Sequence, residues 1–116
     1  MIKQSDPKKR GRAARNKGKR GELELVHLIR DTWGYEVHRG KVYYHEPDLV
    51  GLDGLHVEVK AVERLNLREA MQQASEDAQK RQDGLPAVFH KKDRDGWLVT
   101  MKLDDFMDLY GAWRDA

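Results

Sequence analysis

Apolar positions along the chain recur with two different periods, and the period separates helices from strands. Residues 21–33, GELELVHLIRDTW, place apolar side chains at helical spacing, and Gly34 follows as a helix stop. Residues 66–81, NLREAMQQASEDAQKR, carry a stripe of small apolar side chains behind Asn66, a favourable N-cap. The pattern therefore predicts a helix in each stretch.

Strand-like segments occupy most of the remaining chain. Residues 35–45, YEVHRGKVYYH, predict a strand that runs into an irregular loop, and residues 47–61 predict a hairpin. Two further strands, LPAVFHKK and GWLVTMKL, are joined by a polar turn at residues 93–96, and a short helix capped near Asp104 closes the chain. The predicted order is α-β-β-β-α-β-β-α, which is typical of an α/β domain with five strands and three helices.

The hairpin can be paired in two registers. A two-residue loop, Asp53-Gly54, would place Asp48 and Glu58 on opposite faces of the sheet. A three-residue loop with Gly54 in a left-handed conformation pairs Asp48 with Glu58 instead. The second register puts Leu49, Leu55, Val57 and Val59 on one face and Asp48, His56, Glu58 and Lys60 on the other. Because it separates apolar from charged side chains, it is the predicted register.

Charge is distributed unevenly along the 116 residues. Residues 1–20 hold nine Lys or Arg against one Asp, whereas the other residues have a net charge of −6. Residues 1–17 are predicted to be a disordered basic arm and residues 18–116 a single domain. A basic arm of this kind favours contact with a nucleic-acid backbone over a purely solubilising role. The sequence has no cysteine and no apolar run of membrane-spanning length, so we expect a cytoplasmic protein without a membrane partner.

Two carboxylates on one face of a hairpin suggest a metal site. Asp48 and Glu58 would repel each other unless a cation joined them, and oxygen ligands without cysteine suit Mg²⁺, with Mn²⁺ able to substitute. Lys60 lies on the same face, where it could orient a water molecule. An ordinary ion pair between Glu58 and Lys60 explains the spacing about as well. The histidines show no metal-ligand spacing among themselves.

The motif Pro47-Asp48, a gap, and Glu58-Val59-Lys60 resembles the PD-(D/E)XK nuclease superfamily. The preceding stretch KGKRGELEL and the later stretches VERLNL, AMQQA, PAVFH and WLVTM resemble archaeal-type Holliday junction resolvases and their small phage-encoded relatives. The resemblance covers roughly residues 15–110. It implies a restriction-endonuclease-like core with a mixed five-stranded β-sheet flanked by helices.

The resemblance also implies roles for individual residues. Asp48 and Glu58 would be metal ligands together with the Val59 carbonyl, and Lys60 would be the catalytic lysine. Glu22, with Glu24 as the alternative, would complete the site, and Gln73, with Gln72 as the alternative, would lie near it. The expected DNA-binding residues are basic side chains before and beside the site: Lys17, Lys19, Arg20, Arg39 and Lys41. The loop of Tyr43, Tyr44 and His45 departs from the resolvase pattern, which has a serine there, and these residues could contact DNA or shuttle a proton.

The implied activity is Mg²⁺-dependent hydrolysis of DNA phosphodiesters at four-way junctions, in recombination and repair. Two symmetric cuts by one site per chain require a homodimer, and Met107, Leu109, Tyr110 and Trp113 offer spare apolar surface for it. No small-molecule cofactor is expected, and a phage-encoded enzyme would work in the host cytoplasm. Two alternatives remain open: a nuclease of the same fold that acts on flaps, nicked duplex or forks, and a non-catalytic DNA-binding module.

Overall fold

The computed structural model describes the backbone of residues 7–116 and the side chains of residues 18–116. Within residues 7–116, three α-helices, α1 (Pro7–Trp33), α2 (Leu67–Arg81) and α3 (Leu103–Arg114), accompany five strands. The strands are β1 (His38–Arg39), β2 (Leu49–Val50), β3 (Leu55–Ala61), β4 (Leu85–Lys91) and β5 (Leu98–Met101), and one 3₁₀ turn spans Val42–Tyr44. The predicted order of helices and strands is confirmed.

The five strands form one sheet in chain order. Strands β3 and β4 are parallel and every other neighbouring pair is antiparallel, so the sheet is mixed, as expected. Helix α2 connects the two parallel strands, because a parallel pair needs a crossover rather than a tight turn. Asn66 caps α2 as predicted, since its side chain accepts a hydrogen bond of 3.1 Å from the Glu69 backbone N–H.

Helices α1 and α2 cover opposite faces of the sheet. The larger core joins Leu25, Val26 and Ile29 of α1 to sheet residues that include Val57 and Val59. On the other face, Ala70 and Ala74 of α2 pack against Val88, and these small residues let the helix lie close to the strands. Neighbouring residues of a strand point to opposite faces, so His56, Glu58 and Lys60 lie on the α2 face.

The hairpin has the predicted register. Leu49 pairs with Val57, which aligns Asp48 with Glu58. Gly54 has the expected positive φ of +93°. Gly51, with φ of +120°, is the more constrained glycine, because a Cβ there would lie 2.5 Å from the carbonyl oxygen of Glu36. The separation of apolar from charged side chains therefore predicted the pairing correctly.

The ends of the chain differ from the sequence-based expectations. Helix α1 begins at Pro7, well before the predicted start of the domain at residue 18. Residues 1–6, and the side chains of residues 7–17, lie outside the described residues, so the disorder of the basic arm stays a prediction. Helix α3 is preceded by Lys102 without a side-chain cap, so the predicted cap near Asp104 is wrong. No helix in the described part of the chain has both the length and the apolar composition of a membrane span.

Candidate functional site

An open cleft of about 510 Å³ lies where the α2 face of the sheet meets the loop before β2. Asp48 and Glu58 from the hairpin line its floor, and Gln73, Asp77, Lys80 and Arg81 of α2 form one wall. The α2 residues recur at intervals of three and four, so they share one side of the helix. Val42, His45 and Glu46 of the loop form the other wall. The cleft therefore gathers residues from three separate segments around the two predicted carboxylates.

Asp48 is a partly buried carboxyl group with an unusual proton affinity. Burial, together with repulsion from Glu58 and a hydrogen bond to that carboxyl group, raises the pKa of Asp48 to about 7. The Val59 backbone N–H opposes this shift by donating a 2.9 Å hydrogen bond to Asp48 Oδ2. Near neutral pH Asp48 therefore tends to keep a proton, which it donates in its hydrogen bond to Glu58, and a cation placed between the two groups could replace that proton.

Glu58 has the opposite tendency because of its neighbours. Burial alone would raise its pKa, but hydrogen bonds to His56 and Asp48 and the positive charges of His56 and Lys60 lower it. His56 is only 1% exposed, and its Nε2 and Nδ1 atoms lie 3.0 Å from Glu58 Oε1 and 2.8 Å from Asp83 Oδ1. Burial would lower the pKa of His56, yet the two hydrogen bonds and the two negative charges raise it. Glu58 is therefore held ionised and oriented.

Lys60 and Gln73 lie next to this centre. Lys60 lines a smaller cavity of about 200 Å³, and Gln73 lines both that cavity and the main cleft. Gln72, the alternative, instead donates a 3.2 Å hydrogen bond to Glu76 on the exposed side of α2. The structure therefore brings Gln73, and not Gln72, to the candidate site.

The structure also distinguishes between the two candidate glutamates of helix α1. Glu22 lies close enough to Asp48 for its charge to contribute to the raised pKa of that group. Its carboxylate accepts a 2.7 Å hydrogen bond from Arg39 Nε. Glu24 instead forms a 2.6 Å ion pair with Lys91, away from the cleft. Of the two predicted candidates, Glu22 is the one beside the site.

The predicted DNA-binding residues with described side chains do not line the cleft, and Arg20 borders a separate pocket together with Glu24 and Lys91. Lys19 and Arg20 are exposed on α1. Arg39 is engaged with Glu22, and Lys41 Nζ lies 5.9 Å from the centre of the Tyr44 ring. The Lys17 side chain lies outside the described residues. Lys19, Arg20 and Lys41 are thus accessible to a phosphate backbone, whereas part of the Arg39 guanidinium already has a partner.

Among the side chains of residues 18–116, one group could hold a metal ion, and it differs from the predicted ligand set. His56, Glu58 and Asp77 each offer a ligand atom within 4.8 Å of the others. The histidines have no metal-ligand spacing among themselves in the sequence, and His56 joins the group through its position on the charged face of the hairpin. Asp77 was missed, although its position four residues after Gln73 places it on the same side of α2.

The chemistry of the donors favours an oxygen-only site within this group. Both ring nitrogens of His56 already face carboxylate oxygens, so the atoms that this group leaves for a cation are carboxylate oxygens of Glu58 and Asp77. Asp48, which is hydrogen-bonded to Glu58 and also lines the cleft, could add a further oxygen. Such donors suit a hard divalent cation.

Comparison of the sequence with protein-family models found no match, and comparison with curated proteins found no significant match.

Proposed function

We propose that the protein is a Mg²⁺-dependent DNA endonuclease of the PD-(D/E)XK type that cuts four-way junctions. The observation that carries the proposal is the pairing of Asp48 with Glu58 at the floor of an open cleft, where the pKa of Asp48 is raised to about 7. Two carboxyl groups that compete for one proton form a natural position for a divalent cation. The sequence resemblance to junction resolvases indicates four-way DNA junctions as the proposed substrate.

The residues of the cleft have distinct roles in this proposal. Asp48, Glu58 and the Val59 carbonyl would hold Mg²⁺, and the ion would supply Lewis-acid activation of the phosphoryl group and of water. Lys60, on the same face as Glu58, orients the attacking water and offsets negative charge on the phosphate. Gln73 borders both the lysine and the carboxylates, so it can donate a hydrogen bond to the phosphate. Lys19, Arg20 and Lys41 would contact the backbone rather than the bases.

Cleavage of a labelled four-way junction, beside a matched linear duplex and a flap, tests the proposal. We expect paired symmetric cuts on the junction in Mg²⁺ or Mn²⁺ and none in EDTA. Glu58→Gln keeps the size of the side chain but removes its charge, and it should slow cleavage at least about 100-fold while leaving DNA binding in place. Glu63→Gln, in the exposed loop after β3, is the matched control.

The substrates separate the alternative functions. Equal cutting of duplex or flap would favour a nuclease of the same fold with another target. Tight DNA binding without cutting in any metal would refute catalysis and favour a non-catalytic DNA-binding module.

Junction cleavage requires two copies of the chain, and α3 offers a surface for their contact. Leu103, Phe106, Met107, Tyr110 and Trp113 recur at helical spacing and are 44–72% exposed. The edge strand β5, which precedes the helix in the chain, also exposes Leu98 and Val99, one on each face of the sheet. An apolar helix face of this extent is typical of an interface. The proposed partner is a second copy of the chain, related by a two-fold axis.

Sedimentation velocity at micromolar concentration tests the dimer independently of activity. We expect a dimer for the wild type and a monomer for Phe106→Lys. Asp108→Asn, on the same helix, changes the charge by the same amount without altering an apolar residue, and it should remain a dimer. A monomeric wild type would contradict this part of the proposal.

A further inference from the structure

A network of hydrogen bonds connects the floor of the cleft to its loop wall. It begins at Glu58, whose Oε1 atom lies 3.0 Å from His56 Nε2, and His56 Nδ1 lies 2.8 Å from Asp83 Oδ1. The second oxygen of Asp83 accepts a 3.0 Å hydrogen bond from Arg81 Nε. Glu58, His56, Asp83 and Arg81 therefore form one continuous hydrogen-bonded network.

The other end of this hydrogen-bonded network is the loop at residues 41–46. Arg81 Nη1 donates hydrogen bonds of 2.7 Å and 3.1 Å to the carbonyl oxygens of Tyr44 and His45. A single guanidinium thus binds Asp83 through one nitrogen and the loop backbone through another. Glu58 and the loop are joined through three side chains although they belong to different segments.

The loop has little else to hold it in place. Val42, Tyr43 and Tyr44 are 66–95% exposed, so buried apolar surface contributes little to its position. Within the described part of the chain, the two side-chain hydrogen bonds that reach this loop from outside it both come from Arg81. The remaining one, from the Lys41 backbone N–H to Glu46, is internal to the loop. The position of the loop therefore depends on Arg81.

The two ends of the network, Glu58 and the loop at residues 41–46, both border the cleft, which a network that only stabilised the fold would not require. Glu58 forms the floor of the cleft, and Val42, His45 and Glu46 of the loop form its wall. Asp83 sits between them and uses a different oxygen for each neighbour, so a change at one end alters the partner of the other. The geometry therefore connects the loop that borders the substrate site with the carboxylate that would hold the cation.

We propose that Arg81, Asp83 and His56 are positioning residues that couple the seating of loop 41–46 to the orientation of Glu58. The loop closes one side of the cleft only while Arg81 is anchored on Asp83, and the same Asp83 fixes the ring of His56 against Glu58. As far as catalysis is concerned, this inference rests on the proposed nuclease function. The coupling between loop and carboxylate is a property of the folded chain and can be measured without DNA.

Limited proteolysis with chymotrypsin measures the seating of the loop directly, because the exposed Tyr43 and Tyr44 are cleavage sites for this protease. We compare the wild type with Arg81→Gln, Asp83→Asn and His56→Gln. Asp83→Asn keeps the shape of the side chain but replaces one acceptor oxygen by an N–H₂ group, so it cannot accept from both neighbours. We expect each variant to raise the rate of cleavage in the loop about tenfold.

The informative variant is His56→Gln, because His56 contacts Glu58 and Asp83 but not the loop. Faster loop cleavage in this variant supports the coupling. An unchanged rate in His56→Gln overturns the coupling, and an unchanged rate in Arg81→Gln overturns the role of Arg81 as well. Arg64→Gln and Asp31→Asn, at exposed positions outside the network, are the matched controls and should behave as the wild type.

Two further readouts separate positioning from general loss of structure. Cleavage after Phe89, in the core strand β4, reports global unfolding and should stay as slow as in the wild type. In DNA cleavage, Asp83→Asn should lower kcat with little change in KM. Arg81→Lys should lower kcat less than Arg81→Gln does, because lysine can still donate a hydrogen bond to a loop carbonyl. A wild type that cuts no DNA would refute the proposed function, and the protease rates would still decide the coupling.

Discussion

Replacing Asp48 by asparagine should make the metal-free protein more stable above neutral pH. The substitution keeps the size of the side chain, and the amide oxygen can still accept the hydrogen bond that the Val59 N–H donates to Asp48. It removes a carboxyl group whose pKa is raised from 3.8 to about 7, chiefly by burial and then by Glu58. Ionisation of Asp48 in the folded protein therefore costs free energy at alkaline pH, and the substitution removes that cost.

The sign and size of the effect follow from the two pKa values. Between about pH 4 and pH 7 the folded state retains a proton that the unfolded state has released, so the stability of the wild type falls as the pH rises through the folded-state pKa. A difference of roughly 3 pKa units corresponds to at most about 4 kcal/mol. Solvent in the open cleft screens part of this, so we expect a gain of about 2 kcal/mol for Asp48→Asn at pH 8 and almost none at pH 4.

Urea denaturation in EDTA at several pH values from 4 to 8.5 measures the effect. Asp53→Asn, at an exposed position in the hairpin loop, serves as the control and should follow the wild type. An Asp48→Asn variant that is no more stable than the wild type at pH 8 would refute the idea that this carboxyl group resists ionisation. Added Mg²⁺ should stabilise the wild type by about 2.7 kcal/mol at a concentration 100 times its Kd. It should do much less for Asp48→Asn.

Two further predictions concern the helix wall of the cleft and the hairpin. Gln73→Ala should slow junction cleavage about fivefold, since the hydrogen bond it removes is worth roughly 1 kcal/mol, whereas Gln72→Ala should cleave at the wild-type rate in the same assay. Gly51→Ala should lower the free energy of unfolding by about 2 kcal/mol or more, because it forces a Cβ into a positive-φ position that lies against a neighbouring carbonyl oxygen. Gly96→Ala, where a Cβ would meet nothing within 4 Å, should change the urea midpoint little.

Local patterns in the sequence were sufficient to predict the helices and strands and the pairing of the hairpin. Side chains alternate between the two faces of a strand, so a register that mixed charged with apolar residues could be rejected from the sequence alone. The observed pairing of Leu49 with Val57 confirms that reasoning. Asn66 was also predictable as the N-cap of α2, because a cap acts on backbone groups only a few residues away.

Choices between neighbouring residues on a helix required the tertiary structure. Glu22 and Glu24, or Gln72 and Gln73, differ by one or two positions, which on a helix changes the direction of the side chain by 100° or 200°. Which direction faces the cleft depends on how the whole helix is rotated against the sheet. That rotation is set by close packing of residues such as Ala70 and Ala74 against Val88, and no local pattern reports it.

The sequence by itself determined that two carboxylates and a lysine would share one face of the β2–β3 hairpin, because alternation along a strand is a local property. Only the tertiary structure decided what surrounds them. His56 meets Asp83 across 27 residues, and Arg81 meets the loop carbonyls across 36 and 37. These contacts exist because the parallel pairing of β3 with β4 returns the chain after α2 to the start of β3, and such long-range pairing is fixed by the packing of the complete sheet.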